Sequence, residues 1–92
     1  DYELIEYVNA ATKEKNWNEL MRMTIEYMKT AEEKFSDGAT RKEWVMAMIR
    51  TSAANINYDL DDAALAKISA LIDDICAASK VLNKEAVGIT AE

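Results

Sequence analysis

Apolar positions recur at intervals of three and four residues along most of the chain, and the breaks in that rhythm divide it into four segments. In the first, Tyr2 to Glu14, residues Leu4, Ile5, Val8 and Ala11 fall at helical spacing among Glu3, Glu6 and Lys13, which predicts a short, weakly amphipathic helix. A helix of this length is marginal in water by itself, so its stripe needs the next helix or a partner to dock on. The polar run Lys13-Glu14-Lys15-Asn16 reads as a break, with Asn16 or Asn18 capping a second helix and Glu19 three residues after Asn16. The second helix is expected from Trp17 to Phe35. Its inner face is Leu20, Met21, Thr24, Ile25, Met28, Ala31 and Phe35, and its wet face Arg22, Glu26, Lys29 and Glu33.

Gly38 stands where a left-handed C-terminal cap belongs, and Thr40 with Glu43 has the spacing of a capping box that opens a third helix. This third helix presents Trp44, Val45, Met48, Ile49, Ser52 and Ile56 on one side and ends between Asn55 and Asn57. Asp59-Leu60-Asp61-Asp62 then offers two N-caps and places acid at the positive end of a helix dipole. In the fourth helix Leu65, Ile68, Ile72, Ile75, Ser79 and Leu82 form a seam that Ala64, Leu71 and Ala78 widen. Asn83 or Gly88 closes it. The pattern predicts an all-α fold, a small bundle of three to four helices: an N-terminal helix over 1–16, a bundle over 17–88 and a tail over 89–92.

Composition agrees with that class. The 92 residues contain no Pro and two Gly, whereas an all-β chain needs repeated turn residues. Half of the residues are hydrophobic but only 8% are aromatic and five are Met, so the interior is expected to be Ile, Leu, Ala and Met. A domain this small buries only about 60 to 65 per cent of its unfolded surface, which leaves a thin core. The formal charge of −6, with Lys and Arg interleaved among the acids, argues against a phosphate-binding surface for nucleic acid and against anionic membranes. No apolar run approaches the roughly 20 residues of a bilayer span. The chain starts at Asp1 without an initiator Met, as a processed or excised segment does.

Candidate chemistry is sparse. Asn57, Asp59, Asp61 and Asp62 invite comparison with a calcium loop, but Asp62 occupies the place of the turn Gly and Ile68 that of the bidentate Glu. These residues read as helix caps, and no metal or other cofactor is expected. Asp73 and Asp74 diverge by about 100° around a helix and cannot by themselves form an acid/base pair. Cys76 has no His to activate it and lies within an apolar helix, so it is expected to be buried and structural. The chain has no His at all, which removes the commonest general base and metal ligand. Neither catalysis nor a small-molecule substrate is expected. Met21, Met23, Met28, Met46 and Met48 fit a core better than an adaptable groove.

Surplus apolar surface remains, and small domains commonly offset a thin core by self-association. The stripes of the second and fourth helices, through Leu20, Met21, Ile25, Met28, Leu65, Ile68, Ile72, Ile75 and Leu82, are therefore expected to pair subunits in a symmetric dimer or higher oligomer.

Several stretches also carry a family likeness: Met28-Lys29-Thr30-Ala31-Glu32-Glu33-Lys34-Phe35, Gly38, Arg41-Lys42-Glu43-Trp44-Val45, Ile56-Asn57-Tyr58-Asp59, Ile68 through Asp74, and Leu82-Asn83. Together, residues 20 to 83 resemble the soluble C-terminal region of LLH-type phage holins, or holin superfamily 6. That region typically has an Ala-Glu pair, a Gly turn, a basic residue before a Val, an Ile-x-x-Asp entry and a closing helix with Leu-Ile-Asp or Leu-Ile-Glu. Members of the family carry an N-terminal transmembrane helix, which this chain lacks; the helix over 1–16 would then be the stalk between membrane and bundle. The resemblance implies a domain on the cytoplasmic side of the host inner membrane that promotes subunit assembly for host-cell lysis by a phage or prophage. The alternative is a stand-alone cytoplasmic phage or bacterial protein, structural or regulatory, that binds a partner through a Met-rich helical surface.

Overall fold

Three helices follow from these patterns rather than four. In the computed structural model, which describes the backbone of residues 2–88 and the side chains of residues 4–80, α1 runs Tyr2–Lys34, α2 Gly38–Asn55 and α3 Asp62–Gly88. No strand occurs among the described residues, and the fold is a small all-α bundle.

The expected break at Lys13–Asn16 is absent, and α1 passes through it as one helix of 33 residues. Lys and Glu are good helix formers, and no Gly or Pro interrupts the run, so polarity alone cannot end the helix. What changes there is the direction of the apolar stripe.

The turn between α1 and α2 also differs from expectation. Gly38 is the first residue of α2 and has no positive φ, and Asp37 rather than Thr40 is the N-cap. Asp37 is extended (φ −96°, ψ 128°), and one of its carboxylate oxygens accepts from the Thr40 amide and from the Thr40 hydroxyl, each at 2.9 Å. An ionised carboxylate three residues before that amide satisfies an orphan donor better than a hydroxyl already inside the first turn. The end of α1 is closed from across the turn, where the Arg41 guanidinium donates to the carbonyls of Phe35 and Glu32.

A left-handed cap does occur, at the other end of α2. Asn57 has φ 55°, the Tyr58 amide donates to Ala53 at 2.8 Å, and the Asn57 amide donates to Ala54 at 3.2 Å. This is the Schellman pairing, and Asn is the best-suited residue after Gly for its left-handed position. Four residues later the Asp61 carboxylate accepts from the Ala64 amide at 2.8 Å and caps α3, as the acidic entry predicts.

Side-chain pairs give the direction of packing. Trp17 meets Tyr58, Tyr27 meets Ser52 and Phe35 meets Trp44, so α2 runs antiparallel to α1. Lys42 near the start of α2 reaches Asp73 midway along α3 at 2.9 Å, so α3 turns back along α2 in its turn. The core draws Leu20, Thr24 and Ala31 from α1, Val45, Ile49, Ser52 and Ala53 from α2, and Ile68 and Ile72 from α3. Thr24 is buried without cost to its hydroxyl, which donates to the Leu20 carbonyl at 2.8 Å. No buried side-chain donor or acceptor among the described residues lacks a partner.

The molecule is a rod of 63 × 23 × 19 Å. At about 1.5 Å per residue α1 is about 50 Å long and α2 about 27 Å, so α1 overhangs its principal partner. The overhang is the N-terminal half of α1.

Candidate interaction surface

The residues expected to pair subunits are divided by the structure. Leu20 and Ile68 are fully buried and Ile72 nearly so, and all three are spent on the bundle's own interior. Met21, Met28, Leu65 and Ile75 are half-buried, while Ile25, expected on the inner face, is 44% exposed. The Leu82 side chain lies outside the described residues. Much of the proposed seam is therefore intramolecular, because a chain with only three helices turns its best stripes toward one another first.

Exposed apolar surface is concentrated on the first two turns of α1: Leu4 is 62% exposed, Ile5 56%, Tyr7 71% and Val8 50%. Among the described residues they take no part in the core cluster or in the aromatic contacts between helices. The spacing of Leu4, Ile5 and Val8 was legible in the sequence, but their separation from the core was hidden by reading Lys13–Asn16 as a break.

Where α1 leaves the bundle, a groove of about 410 Å³ opens between Ala10, Lys13, Glu14 and Trp17 on one wall and Tyr58, Asp59, Asp61, Ala63, Ala64 and Lys67 on the other. The Trp17 and Tyr58 rings lie 6.2 Å apart within this lining. At the opposite end of the bundle the Trp44 and Tyr27 rings stand nearly perpendicular with centres 6.0 Å apart, Phe35 packs against Trp44 at 6.0 Å, and the Lys34 ammonium is 5.2 Å from the Trp44 ring centre. These aromatic groups close the two ends of the α1–α2 contact.

Ionisable groups are dispersed. The amide and hydroxyl of Thr40, with smaller help from the Ala39 amide and Arg41, hold the Asp37 carboxyl below its ordinary value. Arg22 does the same for Glu19 by a hydrogen-bonded ion pair along the exposed side of α1. Cys76 is exposed, contrary to the expectation of burial: it stands one turn beyond Ile72, the last buried residue of α3 among those described. Among the described residues no three or more Cys, Asp and Glu converge as a metal site would require. Met21, Met23, Met28 and Met46 pack against the buried cluster of Ala31, Val45, Ile49, Ile68 and Ile72.

No helix among the described residues is long and apolar enough to cross a membrane. The chain matches no protein-family model, and neither a curated protein nor a solved structure is found similar to it.

Proposed function

We propose that this chain is a helical interaction domain of a phage or prophage holin-like protein, bringing subunits together for host-cell lysis. The observation that carries the reading is the overhanging half of α1, where Leu4, Ile5, Tyr7 and Val8 are each at least half exposed on one continuous helix. A folded bundle with an apolar, uncovered arm has the form expected of an assembly module, since contiguous exposed apolar surface marks interaction sites. The likeness of residues 20 to 83 to the soluble region of LLH-type holins supplies the biological setting. In that setting an anchored parent holds the domain at the cytoplasmic face of the host inner membrane. The competing reading, a stand-alone protein with a Met-rich docking surface, has less to stand on because four of the five Met side chains pack at the core.

The reading frame upstream of Asp1 tests the anchored form. An apolar stretch of roughly 20 residues there supports it, and a start codon at that point removes it. Deleting residues 1–92 from such a parent is expected to shift the onset of lysis; unchanged timing would reject the assembly role.

A further inference from the structure

The three helices are not held to one another equally. Between α1 and α2, with the residues that flank them, stand the Tyr27–Ser52 hydrogen bond, the Tyr27–Trp44 and Phe35–Trp44 ring contacts, the Trp17–Tyr58 pair, and the Arg41 guanidinium on the carbonyls of Phe35 and Glu32. The helix α3 has no aromatic residue. Among its described side chains only Ile68 and Ile72 are buried, and every residue from Cys76 to Lys80 is exposed. Its one ion pair to the α1–α2 hairpin among the described residues, Lys42–Asp73, has the two side chains 35% and 63% exposed, so water and salt weaken it. At its start, the groove of about 410 Å³ separates Ala63, Ala64 and Lys67 from Ala10, Lys13 and Trp17 of α1.

The connection to α3 is uneven in the same way. The Schellman pairing fixes the chain as far as Tyr58, whose ring packs against Trp17, and the Asp61 carboxylate caps α3 and belongs with it. Between these fixed points lie Asp59 and Leu60, which no backbone hydrogen bond holds among the described residues. Each has two soft backbone dihedrals, and a few such residues at the end of an element suffice for a hinge.

We infer that α3 leaves the α1–α2 hairpin as one unit, turning at Asp59 and Leu60, more often than the chain unfolds as a whole. Segments with little buried apolar surface open at a lower free energy than the rest of a fold. Parting gives up the burial of Ile68 and Ile72 and the exposed ion pair, while every α1–α2 contact named above is kept. Leu20 and Ala53 are buried on α1 and α2 outside the cluster that takes in Ile68 and Ile72, an interior that the hairpin retains.

Opening uncovers Ala31, Val45 and Ile49, which share the buried cluster with Ile68 and Ile72. The helix is thus a strap over an apolar seat, and the seat is presented only while the strap is lifted. This motion is independent of the assembly role proposed above. Fraying is a different process, since it releases α3 residue by residue from its C-terminal end, whereas a hinge at Asp59 and Leu60 frees Ile68 and Ile72 together. Complete unfolding differs again, because it also breaks the bonds between α1 and α2.

Native-state hydrogen exchange of the full chain, followed by NMR at urea concentrations below the unfolding midpoint, tests this. The expected result is one common opening for the amides of residues 66–76, about tenfold or more as frequent as that of residues 45–53, with a smaller urea dependence because less surface is exposed. Tyr27→Phe separates the two openings. The hydrogen bond it removes is intact when α3 alone has parted, so exchange of the α2 amides should rise about fivefold while that of the α3 amides stays unchanged. Ile68→Val should speed both sets alike, because that side chain leaves the core in either opening. A single free energy and urea dependence for all three helices overturns the inference, as does a Tyr27→Phe variant whose α3 amides accelerate with those of α2. A steady rise toward the C-terminal end of α3, with no common value, reduces the motion to fraying and overturns it too.

Discussion

The hydroxyls of Tyr27 and Ser52 lie 2.7 Å apart and tie the middle of α1 to the last turns of α2. Ser52 is 8% exposed, so water cannot readily replace its partner. Tyr27→Phe should cost about 1 kcal/mol, the net worth of a hydrogen bond whose loss leaves a mostly buried group unpaired. Adding Ser52→Ala removes the orphan, so the double variant should cost less than the sum of the two single ones. Urea denaturation of the four proteins measures the coupling, and strict additivity would mean that the contact contributes nothing.

Asn57 governs how the chain leaves α2. With φ at 55° it occupies a conformation that costs ordinary L residues about 1 to 2 kcal/mol. Asn57→Ala should therefore destabilise by about that amount, whereas Asn57→Gly should fall within a few tenths of a kcal/mol of wild type. Equal stability of the two variants would show that the left-handed cap does not hold the α2–α3 connection in place.

Acid should release the cap on α2. Asp37 has its folded-state pKa depressed by the Thr40 amide and hydroxyl, so its contribution is complete above the unfolded value of about 3.9 and is lost as pH falls through the lower folded value. Asp37→Asn keeps an oxygen acceptor without the charge. The stability difference between wild type and this variant should be largest near neutral pH and shrink below about pH 4. Taking the difference cancels the parallel titration of Glu19, which Arg22 holds down in the same direction. A gap that is constant from pH 6 to pH 3 would refute the charged cap.

The fold class was legible because apolar spacing of three and four is a local property that survives into the folded chain. That spacing puts Ile68 and Ile72 on the inner face of their helix, where they are buried, and of the two N-caps that the acidic entry offers the one that forms is Asp61. What spacing cannot convey is phase. Leu4 and Val8 on one side and Leu20 and Thr24 on the other have the same periodicity but opposite directions, and the change of direction looked like a break between two helices. The caps were misread for a related reason: Asp37, Thr40 and Glu43 all offer suitable oxygen atoms, and only the backbone of the turn decides which of them meets the free amide. The tendency of free cysteine toward burial points Cys76 to the interior, yet it is exposed one turn past Ile72, where the buried part of α3 among the described residues has ended.

Ile25 and Ile72 separate the stripe that folds the chain from the surface left over. Both belong to seams expected from sequence to join subunits, but Ile72 is 2% exposed beside Val45, Ile49 and Ile68, whereas Ile25 is 44% exposed. Ile72→Glu places a carboxylate in the buried cluster of the three helices and should cost several kcal/mol, on the order of the whole stability of so small a domain. Loss of helical circular dichroism or a steep fall in melting temperature is the expected result. Ile25→Glu should change stability by about 0.5 kcal/mol or less, as surface substitutions usually do. If Ile72→Glu instead left a folded chain and only dispersed an oligomer, the seam of α3 would be an interface after all, and the three-helix core described here would have to be abandoned.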